Sequence, residues 1–552
     1  MHLKQHLSLL PLIFKAKGVE DIVISPGSRN APLIQLFYRH FRNNCHSIVD
    51  ERSAAYFALG IALRKNKPVV VISTSGTAAL NFAPAVAEAF HQGVSLIVLT
   101  ADRPPEWIDQ QDNQTIRQNG IYTANLKREF QLPVEIKDEN DKIFVERIVN
   151  EAANLSQSDK PGPVHINVPL REPLYEEIPD FDDFRLFEIA GSISFSLSPE
   201  LLSRYSASDK ILIVAGQHIP EKLLAKSLSK LAKSDSIVCI AESVSNLSEL
   251  DNAVNADIIM ASEDLTEEYI PDLVIYFGGQ LVSKRVKNYL RKLTKTEFWY
   301  VSPSGNAVDT FQHLNQVIKT KPHLFFESLS AVYHSENNSE FKKLWLDSHN
   351  KARAKYSKNI SEINYSDMLV FSEMSKCFNA EDIIFAGNSS VIRYLQLNKM
   401  QFKKFYSNRG TSGIDGCLST AAGIAMSTSK TVYAVLGDLS FVYDSNALWN
   451  KQLPHNLKVI VVNNNGGGIF GLIDGPSQQD AYQEYFVAHH PVKINKICEA
   501  FGVNHLYAKS VEELNTEMLK LKKSSVVTLL EVDTSGLMNA EIFRNFMNNL
   551  KQ

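Results

Sequence analysis

Short apolar runs rich in Val and Ile recur along this chain, and each closes on a Gly, Pro or small polar residue before a helical stretch begins. Examples are Asp21-Ile22-Val23-Ile24, Pro68-Val69-Val70-Val71-Ile72, Ser95-Leu96-Ile97-Val98-Leu99, Ile211-Leu212-Ile213-Val214, Leu273-Val274-Ile275-Tyr276-Phe277 and Lys458-Val459-Ile460-Val461-Val462. A run that is apolar on both faces is a strand covered on both sides. Strands separated by helices pair in parallel, because a parallel crossover needs a long connection and a helix supplies it. The expected fold class is therefore α/β, with three consecutive parallel-sheet domains and helices on both faces.

The number of domains follows from length, since 552 residues exceed what one core accommodates. The first domain spans residues 1–175 and ends on Val164-His165-Ile166-Asn167-Val168, punctuated by Gly162-Pro163 and Pro169. Residues 176–208 are acidic, then rich in Ser and Leu, and read as a linker opening the second domain, 176–350. A charged helical stretch over 335–366 reads as a second connector into the third domain, 351–552. The domains share one plan of strand, Gly-containing turn and helix, without a literal repeat.

Composition removes several classes of partner. A net charge of −4 offers no basic surface for nucleic acid. No apolar run reaches the roughly 18 residues that span a bilayer, so no membrane partner is expected. The start, Met1-His2-Leu3-Lys4-Gln5-His6, opens an amphipathic helix and lacks a signal-peptide core. Cys45, Cys239, Cys377, Cys417 and Cys498 show no CxxC spacing and read as small buried hydrophobes in a reducing, cytoplasmic compartment. Glycine-rich turns after strands suggest dinucleotide binding, yet no GxGxxG opens a helix after the first strand. The middle domain reads as a degenerate nucleotide-binding type.

The chemistry concentrates in a few turns. Gly437-Asp438-Leu439-Ser440 is followed, after the strand at 458–462, by Asn463-Asn464-Asn465-Gly466-Gly467-Gly468. An Asp and an Asn at the ends of neighbouring strands can share one hard cation, and the glycines let backbone approach a diphosphate. The plain alternative is a Gly/Asn turn in an ordinary sheet. Ser25-Pro26-Gly27-Ser28-Arg29 opens a helix and suits an anion, or is a capped start with a surface Arg. Glu51 stands in a first helical turn, where the dipole alone favours a carboxylate. Ser73-Thr74-Ser75-Gly76-Thr77 is shaped for a flat ligand or for tight packing, and Asp102-Arg103 before Pro104 is commonly a local ion pair.

Taken in order with Asn408-Arg409-Gly410-Thr411-Ser412-Gly413-Ile414-Asp415-Gly416, these motifs resemble one family. It is 2-succinyl-5-enolpyruvyl-6-hydroxy-3-cyclohexene-1-carboxylate synthase, the thiamine-diphosphate (ThDP) enzyme of menaquinone biosynthesis. Its Gly-Asp-Leu-Ser departs from the Gly-Asp-Gly usual among ThDP enzymes, as that subfamily does. The resemblance implies pyrimidine-binding, central and diphosphate-binding domains in that order. It implies Mg²⁺ (or Mn²⁺) held by Asp438, Asn464 and the Gly466 carbonyl, Glu51 as activator of the aminopyrimidine, and Ile414 as support for the bent cofactor. Ser75, Gly76, Gly437, Leu439, Ser440, Ile469 and Phe470 would complete the cofactor site.

The resemblance further implies a substrate pocket of Ser28, Arg29, Arg103, Gln114, Lys284, Arg285, Ser389, Arg393 and Arg409. Planar two-pronged donors suit a dicarboxylate donor, 2-oxoglutarate, and a dicarboxylate acceptor, isochorismate. 2-Oxoglutarate would lose carbon dioxide and its succinyl unit would add in conjugate fashion to isochorismate, with Gln114 or a water as the proton source. His489 and His490 carry no assigned role. The resemblance also implies a homodimer or homotetramer with active sites at the interface. Two rivals stay open: another ThDP-dependent 2-oxo-acid decarboxylase or carboligase, and a scaffold that kept the fold without the chemistry.

Overall fold

A computed structural model describes residues 2–189, 194–332, 339–398, 404–473 and 475–552. It holds three six-stranded parallel sheets. The first comprises β1 (Ile22–Ile24), β2 (Cys45–Ser47), β3 (Val69–Ser73), β4 (Leu96–Asp102), β5 (Arg128–Gln131) and β6 (Val164–Pro169), in the order β2-β1-β3-β4-β6-β5. The second comprises β7 (Ile211–Ala215), β8 (Ile237–Ala241), β9 (Ala253–Val254), β10 (Leu273–Phe277), β11 (Glu297–Ser302) and β12 (Leu314–Lys319), in the order β12-β11-β10-β7-β8-β9. The third comprises β13 (Ile383–Ala386), β14 (Lys404–Tyr406), β15 (Val432–Gly437), β16 (Leu457–Asn463), β17 (Asn504–Ala508) and β18 (Thr528–Asp533), in the order β14-β13-β15-β16-β18-β17.

The first and third sheets share one topology. In each, the chain steps outward from the opening strand in one direction and then returns across it, so a switch point lies beside β1 and β3, and beside β13 and β15. Ligands of open α/β sheets bind outside the carboxyl ends of the strands at such points, because the outgoing loops diverge there. Residues 25–29 and 73–76 leave the first of these points, and residues 388–389 and 437–438 leave the second. At the second sheet's switch point the loops are stitched together. Gly216 N–H donates to Phe277 O at 2.9 Å and Gly279 N–H to Gln217 O at 2.8 Å. A Cβ on Gly216 would lie 2.0 Å from Gly279 O.

By packing, the chain forms two compact units. The first is Met1–Gly191, Asn408–Ser429 and Tyr443–Leu457. Its core sets Leu10, Ile13, Phe14, Leu33 and Phe37 against Val70, Ile72, Ile97 and Ile166 of the first sheet. The second unit is Ser192–Ser407, Lys430–Val442 and Lys458–Gln552, and carries the other two sheets.

Residues 190–193 and 335–338 of the two stretches read as connectors lie outside the described residues; the parts described carry packed side chains. Ile178 is buried in the first core, and Arg185 Nε donates to Glu146 Oε2 at 2.6 Å. The helix Phe341–Ile360 buries Trp345, Ala352 and Tyr356 in a core that also takes Tyr276 and Phe371, which joins the second and third sheets. No described helix is long and apolar enough to cross a membrane.

Candidate active site

In the first unit the helix Glu51–Lys65 is capped by Asp50, whose Oδ1 accepts Ser53 N–H at 3.0 Å and whose Oδ2 accepts Asn446 Nδ2 at 2.7 Å. The cap fixes Glu51, half-buried, in the first turn. This helix lies backbone to backbone on the helix Cys417–Met426. A Cβ on Gly60 would be 2.1 Å from Thr420 O, and one on Gly423 would be 2.0 Å from Phe57 O. Tyr56 Oη donates to Asp415 Oδ2 at 2.7 Å, and the Ser53 and Ser419 hydroxyls bond at 2.8 Å. Ile414, just ahead of the second helix, is thereby held in fixed relation to the helix that begins with Glu51.

The turn at the carboxyl end of β3 is shaped for close approach. Ser73, Thr74 and Ser75 are buried, and their hydroxyls find no hydrogen-bond partner among the described residues; the same holds for Ser25 Oγ at the end of β1. Gly76 has φ +81°, its N–H donates to Gln118 Oε1 at 2.9 Å, and a Cβ there would lie 3.1 Å from Gln114 O. Gln114 is exposed at φ +56°. Ser28 is exposed, while a Cβ on Gly27 would strike Thr74 Cβ at 2.4 Å, so the two turns touch. Buried Arg29 donates through Nη1 to Leu170 O at 3.0 Å and pairs through Nη2 with Glu172 at 3.3 Å. Arg103 Nε pairs with Asp112 at 3.0 Å, and Arg409 is buried.

In the second unit Asp438 opens a short helix, Asp438–Tyr443, directly at the end of β15, and is buried. Its Oδ1 accepts Leu439 N–H at 2.7 Å, and its Oδ2 accepts Gly466 N–H at 2.8 Å and faces His490 Nε2 at 3.2 Å. Burial pushes its carboxyl up, and the Leu439 and Gly466 amides act against that. Asn464 follows β16, and its Nδ2 donates to Asp367 Oδ2 at 2.9 Å, which leaves Oδ1 as the outward acceptor. Asp367 is fully buried, accepts Thr534 Oγ1 at 2.5 Å, and is pushed up to about 6 by that burial. Gly466 stands at φ +141°, and a Cβ there would meet Val487 O at 2.5 Å.

One carboxylate, one amide oxygen and one carbonyl make an all-oxygen donor set, which suits a small hard cation. Ile469 is buried beside them, and the Phe470 ring packs on Phe486 with centroids 5.6 Å apart. These residues fit a metal-bound diphosphate: oxygen ligands, a glycine backbone without side chains, and an apolar wall.

Three family models match in series. They are described as the thiamine pyrophosphate enzyme N-terminal TPP binding domain over residues 8–121, the middle domain of thiamine pyrophosphate over 198–386, and the C-terminal TPP binding domain over 386–532. Curated relatives named 2-succinyl-5-enolpyruvyl-6-hydroxy-3-cyclohexene-1-carboxylate synthase align along nearly the whole chain. The protein of Cytophaga hutchinsonii is 38% identical, covering 98% of both chains. That of Desulfotalea psychrophila is 38% identical over 97% of this chain and 99% of its own, and that of Bacteroides thetaiotaomicron 34% over 100% and 99%. The chain belongs to this synthase family.

Within this synthase the cations divide into two sets. Arg29, Arg103 and Arg285 each face a carboxylate of the chain, Glu172, Asp112 and Asp257 respectively. Arg393 has no such partner among the described residues; it is exposed, and its Nη1 donates to Ser389 O at 2.5 Å. Ser389 itself stands at φ +69° before the helix Ser390–Leu397. Lys284 and Arg285 begin the helix Lys284–Arg291, an end that disfavours cations. Asp257 offsets this by accepting from both Ser283 Oγ (2.8 Å) and Arg285 Nη1 (3.1 Å).

Sequence reading left His490 without a role and passed over Asp367 and Glu242. Glu242 is fully buried, accepts the Val282 and Ser283 amides, and is pushed up to about 7 by burial. None has a local signal: each meets its partner only through the sheet.

Proposed function

We propose that this chain decarboxylates 2-oxoglutarate with ThDP and Mg²⁺ (or Mn²⁺) and adds the succinyl unit to isochorismate in conjugate fashion. The products are 2-succinyl-5-enolpyruvyl-6-hydroxy-3-cyclohexene-1-carboxylate and carbon dioxide, a step of menaquinone biosynthesis in the cytoplasm. The observation that carries this reading is the alignment, end to end, with synthases bearing that name. ThDP, when bound, supplies a carbon nucleophile that accepts the electron pair left by departing carbon dioxide.

The chain supplies position and charge. Asp438, Asn464 and the Gly466 carbonyl would hold the metal, with the Gly466 amide bonded to Asp438 and Asp367 bonded to Asn464 to keep the two side chains aimed. Ser75, Gly76, Gly437, Leu439, Ser440, Ile469 and Phe470 line the cofactor. Glu51 would hydrogen-bond a ring nitrogen of the aminopyrimidine through its carboxyl group and so favour the imino tautomer, and Ile414 would support the cofactor's bend. Ser28, Arg29, Arg103, Gln114, Lys284, Arg285, Ser389, Arg393 and Arg409 receive the two dicarboxylates, with Arg29, Arg393 and Arg409 foremost. Gln114 or a water returns a proton to the product.

Residues 1–175, 176–350 and 351–552 serve as pyrimidine-binding, central and diphosphate-binding domains. The working unit is a homodimer, or a pair of them, in which one chain's Glu51 serves the other chain's diphosphate motif.

The test is a steady-state comparison of 2-oxoglutarate with pyruvate, isochorismate being the acceptor. A guanidinium deprived of its carboxylate costs about 2–4 kcal/mol, so pyruvate should fall behind by roughly 30- to 1,000-fold. Arg393→Ala and Arg409→Ala should each lower kcat/KM for 2-oxoglutarate by a similar factor while ThDP binding is kept. Equal use of both oxo acids by the unaltered protein would make it a general 2-oxo-acid decarboxylase.

A further inference from the structure

The carboxylate of Glu88 has no place in the cofactor or substrate sets, yet it is fully buried. It sits on the helix Ala83–Gln92, the second of two helices that leave the 73–76 turn. Among the described residues no Lys, Arg or His lies within ion-pair distance of it. A buried carboxylate without a cation is unfavourable unless its oxygens are filled by hydrogen bonds. Here one loop fills them. Oε1 accepts Gly410 N–H at 2.7 Å, and Oε2 accepts both Thr411 N–H at 2.7 Å and Thr411 Oγ1 at 2.6 Å.

The loop is also pressed onto this helix. A Cβ on Gly410 would lie 2.7 Å from Glu88 O and 2.9 Å from Gln92 N, so only glycine lets the two backbones meet. The residue before the clamped pair is buried Arg409, and Ile414 follows three residues after it. Burial pushes the Glu88 carboxyl up, and the Thr411 and Gly410 donors pull it back. All three donors point inward, an arrangement that an ionised acceptor completes and a protonated one would break.

We propose that Glu88 is a positioning residue: its carboxylate clamps residues 410–411 and thereby sets where Arg409 presents its guanidinium and at what height Ile414 stands. The proposal rests on the reading that Arg409 receives a substrate carboxylate. It extends that reading, because a clamp anchored on the helices after the 73–76 turn couples the first sheet's switch point to the Arg409 loop. Moving a positioned group by about 1 Å lowers rate by about 100-fold, so the clamp is a determinant of donor selectivity as well as of order.

The experiment uses the full-length protein with Glu88→Gln, Glu88→Asp, Thr411→Val and Thr411→Ser. Gln offers one acceptor oxygen and turns an NH₂ towards an amide donor; Asp keeps the charge one methylene short. Amide hydrogen exchange over residues 408–416 should quicken at least tenfold in Glu88→Gln while the helix Glu51–Lys65 is unchanged. KM for 2-oxoglutarate should rise about 30- to 100-fold with a smaller change in kcat, and the preference over pyruvate should shrink.

Thr411→Val should show about a fivefold effect, Thr411→Ser should restore it, and Glu88→Asp should fall between wild type and Gln. Glu88→Gln should add little on top of Arg409→Ala, since both remove the same placed guanidinium. Unchanged exchange at 408–416 would refute the clamp. Quickened exchange with unaltered donor preference, or full additivity with Arg409→Ala, would refute the positioning role. If wild type used neither oxo acid, the functional reading would fail on its own, and the exchange arm would still decide the clamp.

Discussion

Gly60→Ala tests what holds Glu51 and Ile414 in register. The added methyl would sit 2.1 Å from Thr420 O, 2.9 Å from Thr420 C and 3.0 Å from Ile424 N, all backbone atoms of the facing helix. A carbon and a carbonyl oxygen rest about 3.3 Å apart or more, so the two helices must part by about 1.2 Å. Backbone cannot rotate aside as a side chain can, which puts the strain near the top of the 1–3 kcal/mol range for overpacking, about 3 kcal/mol. Alanine returns about 1 kcal/mol of helix propensity, leaving a net loss of about 2 kcal/mol. The larger effect falls on activity. A shift near 1 Å of either helix displaces Glu51 or Ile414 in the site it serves and should lower kcat/KM about 100-fold with native far-ultraviolet circular dichroism. Gly423→Ala, 2.0 Å from Phe57 O, should behave alike. Gly502→Ala is the control: φ of +68° makes it strained, but nothing lies within 4 Å, so it should lose stability without losing activity. Gly60→Ala with wild-type kcat/KM would show that the helix contact does not set the site.

Asp438→Ala should abolish Mg²⁺-dependent ThDP binding in calorimetric titration while the fold survives; unchanged affinity would remove Asp438 from the metal site. Mixed with Glu51→Gln chains, it should regain part of the activity in verified heterodimers, since one composite site would be whole, and no regain would place both groups in one chain's site. Asp444 is fully buried, accepts Ser419 N–H at 2.7 Å and Ser419 Oγ at 2.9 Å, and is pushed up to about 7 by burial. Its folded pKa lies above the ordinary carboxylate value, so the stability it contributes is full below about pH 4 and is lost as pH rises through 7. Asp444→Asn should therefore raise the thermal midpoint relative to wild type at pH 8 and far less at pH 5, with a ceiling of about 4 kcal/mol. Parallel pH profiles for the two proteins would contradict that sign.

The sequence exposes the interior of each sheet and hides its edges. β3, β4, β7, β8, β10 and β16 are covered on both sides and therefore read as continuous apolar runs. All six edge strands, β2, β5, β9, β12, β14 and β17, lack such a run, as in Arg128-Glu129-Phe130-Gln131. A strand with one open side carries polar and charged residues that keep it from pairing onward. The anchoring of the connectors is hidden for a related reason: a charged surface masks the few apolar residues that pack inward, such as Trp345 in the helix Phe341–Ile360.

The proposed site is legible in the sequence where one turn carries several of its groups. Asp438 and the Asn464–Gly466 turn, Ser75 and Gly76, and Glu51 under its Asp50 cap are local patterns with local meanings. Groups that act through distant contacts gave no such mark. His490 meets Asp438 and Asp367 meets Asn464 only where the third sheet gathers remote loops, and Glu88 meets Gly410 only because a loop far along the chain packs on its helix. The arginines illustrate the same limit, since whether a guanidinium is balanced by Glu172, Asp112 or Asp257 depends on tertiary contacts rather than on its own neighbours.

The most direct test is to incubate the purified chain with ThDP, Mg²⁺, 2-oxoglutarate and isochorismate, and to identify the product by mass spectrometry. The expected result is carbon dioxide release coupled one to one with a product equal in mass to isochorismate plus the succinyl-semialdehyde unit left by 2-oxoglutarate. Carbon dioxide release without any adduct of isochorismate would contradict it.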